Sequence, residues 1–224
     1  MISPEELGVT ALLFLWVIFV ATILTRSLYK WMKDSGLADN VAVYYNRKII
    51  HILAGGVCAI IVPFVFETSF LPLVMAMLLA LFLYVPHRVG RLMYWFQKED
   101  NMYEVSFCIM WGIIITLGWL VSGGNFWFGI LPALFMSVGD AITGIVRNTL
   151  YKKRTKSWWG NLVMALFSMS IGATLGLAGI LAGVTASFVE HFEFKFIDDN
   201  ITVPTVSFLI LLLAKFYTPW LLTL

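Results

Sequence analysis

"IGATLGLAGILAG", Ile171 to Gly183, decides how this chain folds. It sits inside an apolar run from 161 to 192. One helix over that run would be roughly 48 Å long at a 1.5 Å rise per residue, against a hydrocarbon core of about 30 Å. Gly172, Gly176, Gly179 and Gly183 supply bend points within it. A single tilted helix would carry the chain across a membrane; two short helices meeting near 172–179 would return it to the face it left. The sequence predicts the hairpin, partly buried in protein because its arms are too short to cross in contact with lipid.

The membrane itself is read from composition. The 224 residues are 60% hydrophobic and 12% charged, with a mean hydropathy of +0.88, whereas a soluble domain carries about 25% charged residues. The apolar runs are continuous and of spanning-helix length, unlike the ten-residue alternation of a β-barrel. Candidate spans fall at about 8–25, 49–66, 69–86, 105–122, 126–147, 161–192 and 203–223. The first is too long, and starts too far inside, for a cleaved signal peptide, so it reads as a retained helix. The expected fold is all-α: a polytopic membrane bundle of seven or eight transmembrane helices including the short hairpin, in one domain. Within it, 1–46 forms a peripheral first helix and linker, and 205–224 the last helix. Cys58 and Cys108 lie in apolar runs and read as buried small hydrophobes. Three scattered histidines do not form a zinc pattern.

Charge placement gives orientation. Arg26, Lys30, Lys33, Arg47 and Lys48 mark one connection, Arg88, Arg91 and Lys98 a second, and Arg147, Lys152, Lys153, Arg154 and Lys156 a third. The short turns between them carry no Lys or Arg. The positive-inside rule places the basic connections in the cytosol and, with the hairpin, both termini outside.

Four constellations carry candidate chemistry. In "YYNRKIIHILAGG" (44–56), Arg47, Lys48 and His51 stand three and four residues apart, so all three can share a helix face. They suit a polyanion or proton transfer, or else an interfacial snorkelling cluster. In "SVGDAITGIVRN" (137–148), Asp140 lies well inside an apolar span, flanked by Gly139 and Gly144. A carboxylate there requires a polar cavity or a cation, Arg147 among the candidates. "RNTLYKKRTKSWWGN" (147–161) joins five cations to Ser157 and Gly160 at a helix start, which is phosphate-site chemistry or a basic anchor for anionic headgroups. "FVEHFEFKFIDDNITVP" (188–204) carries Glu190, Glu193, Asp198, Asp199 and Asn200, hard oxygen ligands suited to Mg²⁺ or a solvated loop before a helix. Lys215, within the last apolar run, reads as a snorkelling cation.

Together these motifs resemble the CTP-dependent polyprenol kinases, the family of dolichol and phytol kinases, over about 47–204. "RKIIH" with Gly55 is similar to that family's early Arg-Lys-x-x-His element, and "GDAITG" to its Gly-Asp-x-x-Ala element. "KSWWGN" looks like its Lys-Ser/Thr-x-Glu-Gly element, and the acidic segment ending at Pro204 resembles its Glu…Asp-Asn-x-x-x-Pro element. Trp159 stands where the family carries Glu, so no metal role is carried to that position. The resemblance implies CTP as donor, Mg²⁺ as cofactor, and a membrane isoprenoid alcohol as acceptor on the cytosolic face. Nucleic acid is not among the expected partners. It implies Mg²⁺ on Asp198, Asp199, Asn200 and Asp140, with Glu190 as a further site candidate. The CTP phosphates fall to Lys152, Lys153, Lys156, Ser157, Gly160 and Gly139, and the transferred phosphoryl to Arg47 and Lys48. His51 and Asp140 are alternative bases. The lipid tail is expected between helices, its entry shaped by 172–183 and by Phe126, Trp127 and Phe128. Three other readings remain open: a cytidylyltransferase, whose Lys-, Asp-, Gly- and His-rich ending this chain lacks; a transporter, for which no repeat is visible; and a lipid-binding scaffold.

Overall fold

The computed structural model describes residues 2–151, 156–192 and 197–222, and the named elements among them are all helical, with an isolated backbone bridge between Lys98 and Asn101. Among the described residues, seven helical stretches are long and apolar enough to cross a membrane: α1 (Pro4–Asp34), α2 (Asp39–Val65), α3 (Phe70–Val89), α4 (Tyr103–Ser122), α5 (Trp127–Tyr151), the stretch Trp158–Glu190, and a last helix (Asp199–Tyr217). Trp158–Glu190 is folded on itself as α6 (Trp158–Gly172) and α7 (Gly176–Glu190), which makes Asp199–Tyr217 α8. The polytopic all-α bundle with a short hairpin is therefore what forms. Several helices outrun their apolar windows: α1 continues to Asp34, and α2 starts ten residues before the expected 49.

The hairpin forms because glycine allows both its turn and its closure. Gly176 takes φ +64 and ψ −154 after a single 3₁₀ turn, Ala173–Leu175, a combination that side chains with a Cβ rarely adopt. Gly172 and Gly179 then press together, and a Cβ on either would overlap the other's backbone. This is small-residue packing of the kind that drives helix association in lipid. Each arm has 15 residues, about 22 Å, and exposes one apolar face, through Leu162, Leu166, Leu177 and Leu181. Because the stripe is sealed, 172–183 is not a lipid entry. Phe126 and Phe128 are buried in the core and do not frame one either. Ala at Gly176 is expected to cost about 1–3 kcal/mol, read as a lower unfolding midpoint in detergent; an unchanged midpoint would mean that the turn lies elsewhere.

The central helix is α5. Its apolar window is 78% buried, against 17% for α1, and it packs against α2, α4, α6, α7 and α8. Gly118 of α4 and Gly129 of α5 bring those two backbones into contact. α1 leans on α2 and α3 at the periphery. Among the described residues, three helices contain π-turns, at Phe19–Leu24, His51–Gly56 and Phe135–Gly139. A π-turn leaves backbone carbonyls short of helical partners, and tryptophans supply donors. The indole of Trp16 donates to Leu53 O (2.7 Å), that of Trp95 to Ala21 O (2.8 Å) and that of Trp111 to Gly55 O (3.0 Å). The second and third π-turns pack against each other, Gly56 on Val138 and Gly55 on Ser137. They set the rotation of the residues that follow.

Lys215 lies near the far end of α8 with its ammonium 5.7 Å from the Phe128 ring centroid.

Candidate functional site

The chain turns at one end of the bundle gather the charged groups. α5 emerges from its π-turn at Asp140, which is only 4% exposed. Gly144, one turn later, leaves room for α2: a Cβ there would sit 2.6 Å from Lys48 Cε. Lys48 Nζ consequently reaches Asp140 Oδ2 at 2.6 Å. The His51 Nδ1 atom lies 3.8 Å from the same oxygen, and its ring stacks on Phe107 at 4.1 Å between centroids.

A second set closes against the first. Glu190, fully buried at the end of α7, accepts from Arg147 Nη2 (3.0 Å), Lys156 Nζ (2.9 Å) and Asn161 Nδ2 (2.9 Å). Lys156 also donates to the Glu190 carbonyl and, at 3.2 Å, to Asp199 Oδ2 at the start of α8. One oxygen each of Asp140, Glu190 and Asp199 lies within 4.8 Å of the others. Three carboxylates thus interleave with three cations, Lys48, Arg147 and Lys156. Residues far apart in sequence meet only because the hairpin brings Glu190 and Asp199 back beside Lys156.

The donor set fits a hard divalent cation. All three ligands are carboxylates, and Asp140 Oδ1 is buried without a hydrogen-bond partner. His51 Nδ1 is also buried and unpartnered. Such orphaned polar atoms inside a folded protein call for an explanation, and both face the same cluster.

Other expected site residues are placed differently. Arg47 precedes Lys48 by one residue, about 100° around the helix, and points to the opposite flank. There it donates to Phe96 O (2.7 Å), Asn101 Oδ1 (2.8 Å) and Glu104 (3.5 Å). Asp198 accepts from the Ser106 hydroxyl at 2.5 Å. Burial pushes its carboxyl above the ordinary aspartate value, against the downward pull of Ser106 and of the N–H groups of Asn200 and Ile201. Asn200 donates to Tyr103 O (2.9 Å), tying α8 to α4. Gly139 packs on Met164 and Ser168, and Gly160 on Thr143 and Arg147, so both serve helix contacts. Ser157 donates to the Tyr151 hydroxyl at 3.3 Å. Trp159 is exposed, with Trp158 beside it stacked on His191. Lys152, Lys153, Arg154 and Glu193 lie outside the described residues.

Asn161 and the pairing of Arg147 with Glu190 were not anticipated from sequence. A lone amide inside an apolar run was the available signal for Asn161. The chain matches no family model, no curated protein and no solved structure.

Proposed function

We propose that this protein is a membrane phosphotransferase that moves the γ-phosphoryl group of CTP to an isoprenoid alcohol, on the cytosolic side. The observation that carries the reading is the interleaved cluster: three carboxylates within 4.8 Å of one another, Asp140 and Glu190 buried and Asp199 half-buried, each already touching a cation. The order of the four motifs supports it, and so does the gathering of basic connections at the same end, which the positive-inside rule assigns to the cytosol.

Asp140, Glu190 and Asp199 would hold Mg²⁺, with Asp140 Oδ1 as the open ligand. When bound, the ion would offset the charge of the donor phosphates. Lys156 and Arg147 exchange Glu190 for phosphate oxygens as the donor enters, and Lys48 offsets charge on the transferred group. The lipid hydroxyl attacks the γ-phosphorus, the new P–O bond forms as the bridge to the β-phosphate breaks, and CDP leaves. His51 is assigned the proton, because its Nδ1 has no partner while Asp140 is held by Lys48. Compared with the expectation from sequence, Glu190 replaces Asp198 and Asn200 at the metal, and Arg47 has no part.

The test is purified protein with Mg²⁺, CTP and a panel of lipid alcohols and lipid phosphates. Label from the γ-position is expected in the lipid product, together with a rise in unfolding temperature with Mg–CTP. Label from the α-position would make the protein a cytidylyltransferase. Indifference to every nucleoside triphosphate would leave the transporter or scaffold reading.

A further inference from the structure

The three grouped carboxylates already have cations, and one of those cations sits where a metal ion would. Lys156 Nζ donates to Glu190 Oε1 at 2.9 Å and to Asp199 Oδ2 at 3.2 Å. Both carboxylates belong, with Asp140, to the oxygen set that fits a divalent cation. Asp140, 4% exposed, aims an unpartnered Oδ1 into the same set. Mg²⁺ requires its oxygens at about 2.0–2.1 Å. An ion drawn to the two oxygens that Lys156 holds would stand roughly 4 Å or less from the ammonium. Little water reaches that depth to screen the repulsion. Ammonium and bare ion therefore compete for one place.

Depth decides which cation yields. The Lys48 and Asp140 side chains are 10% and 5% exposed, those of Lys156 and Asp199 17% and 27%. Lys48 is fixed on the inner side, and the pair nearest water is Lys156 with Asp199. Arg147 holds Glu190 through a planar guanidinium, whereas Lys156 carries a compact charge on a flexible stem, two residues before α6 begins. Charge balance points the same way. Asp140, Glu190 and Asp199 are matched one for one by Lys48, Arg147 and Lys156. A bare dication adds two positive charges to that balanced set. A dication carried on a polyphosphate brings anionic oxygens that receive the displaced ammonium.

We infer that Lys156 is a tethered counter-ion that closes the carboxylate site to bare divalent cations and admits them only together with a polyphosphate. That the polyphosphate is a phosphoryl donor rests on the phosphotransfer reading; the exclusion of bare metal rests on the ammonium and its two carboxylates alone. Lys156 leaves Glu190 and Asp199 for phosphate oxygens as the donor enters, and its return after product release closes the site again. Lys156 thus sets which form of the metal the site accepts.

Equilibrium dialysis of the purified full chain against Mn²⁺ alone tests this. Lys156→Gln is expected to retain Mn²⁺ at concentrations where the parent retains none, a gain in affinity of about 10²-fold or more for removing one unit charge at that range. Mn²⁺ should also raise the unfolding temperature of Lys156→Gln and leave that of the parent unchanged. Lys156→Arg keeps the charge and should stay as closed as the parent. Adding Asp140→Asn to Lys156→Gln should abolish retention, which places the ion on this cluster. Equal retention by the parent and Lys156→Gln would overturn the inference, and so would a folded Lys156→Gln that retains no Mn²⁺. If Lys156→Gln does not fold, dialysis of the parent with and without nucleoside triphosphates decides: retention only in their presence upholds the inference, and any other result overturns it. Retention gained by Lys156→Gln, with no γ-label transfer by the parent, would uphold the closed cation site and remove the kinase reading. Transfer by a parent that takes up bare Mn²⁺ would do the reverse.

Discussion

Asp140→Asn is expected to insert and fold like the parent chain yet transfer phosphoryl groups on the order of 10²–10³-fold more slowly, the scale of losing one preorganised electrostatic group. The substitution keeps shape and leaves an amide oxygen to accept from Lys48, which now donates to Oδ2 at 2.6 Å. What disappears is the negative charge, and with it the ligand strength of Oδ1, the buried oxygen with no partner. The measurement is label transfer from γ-labelled CTP, with thermal unfolding in parallel to confirm the fold. Turnover near that of the parent would remove Asp140 from the mechanism and reduce the cluster to a structural ion network.

Glu190→Leu addresses that structural role. Glu190 has no exposure and satisfies Arg147, Lys156 and Asn161 at once. Removing one partner of a buried pair leaves an uncompensated charge and costs about 3–5 kcal/mol. The expected result is a large fall in stability, read from denaturant titration in detergent. Adding Arg147→Met to the same chain should recover much of the loss, because replacing both partners with apolar groups removes the orphaned charge as well. A Glu190→Leu protein that unfolds at the parent's midpoint would show that the cluster is bathed in water and that its pairs contribute little.

The spans were legible because lipid imposes a simple rule: a continuous apolar run must be helical to satisfy its own backbone. Their ends were less legible, since hydropathy stops where helix geometry need not. The segment 203–223 was read without its first turn, and the helix starts at Asp199, with carboxylates that looked like loop residues. The hairpin was legible from length against bilayer thickness together with the spacing of Gly172, Gly176 and Gly179.

The site was half legible. Asp140 stood out as a costly carboxylate inside an apolar span, Lys48 and His51 as charged and titratable groups able to share one helix face, and the structure brings the three together. Arg47 was misplaced because i, i+4 spacing with His51 permits a shared face without requiring it. A helix turns about 100° per residue, so adjacent residues 47 and 48 point to different neighbours, and the partners offered by Phe96 and Asn101 capture the arginine. The pairing of Arg147 with Glu190 depends on two helices returning to one end, a tertiary fact that no local pattern encodes. Asp198 and Asp199 illustrate the same limit: neighbours in sequence, one binds Ser106 and the other reaches Lys156.

The π-turn at Phe135–Gly139 has a consequence for insertions and deletions. It accommodates one surplus residue in an otherwise regular helix. Deleting Ser137 would restore ordinary winding and leave both 127–134 and the helix from Asp140 onward near their present phase, because the wide turn already absorbs the extra residue. Loss of one codon within 127–134 would instead swing Asp140 about 100° away from Lys48, so the wide turn acts as a slack link where α5 tolerates a change of length that its anchoring half does not.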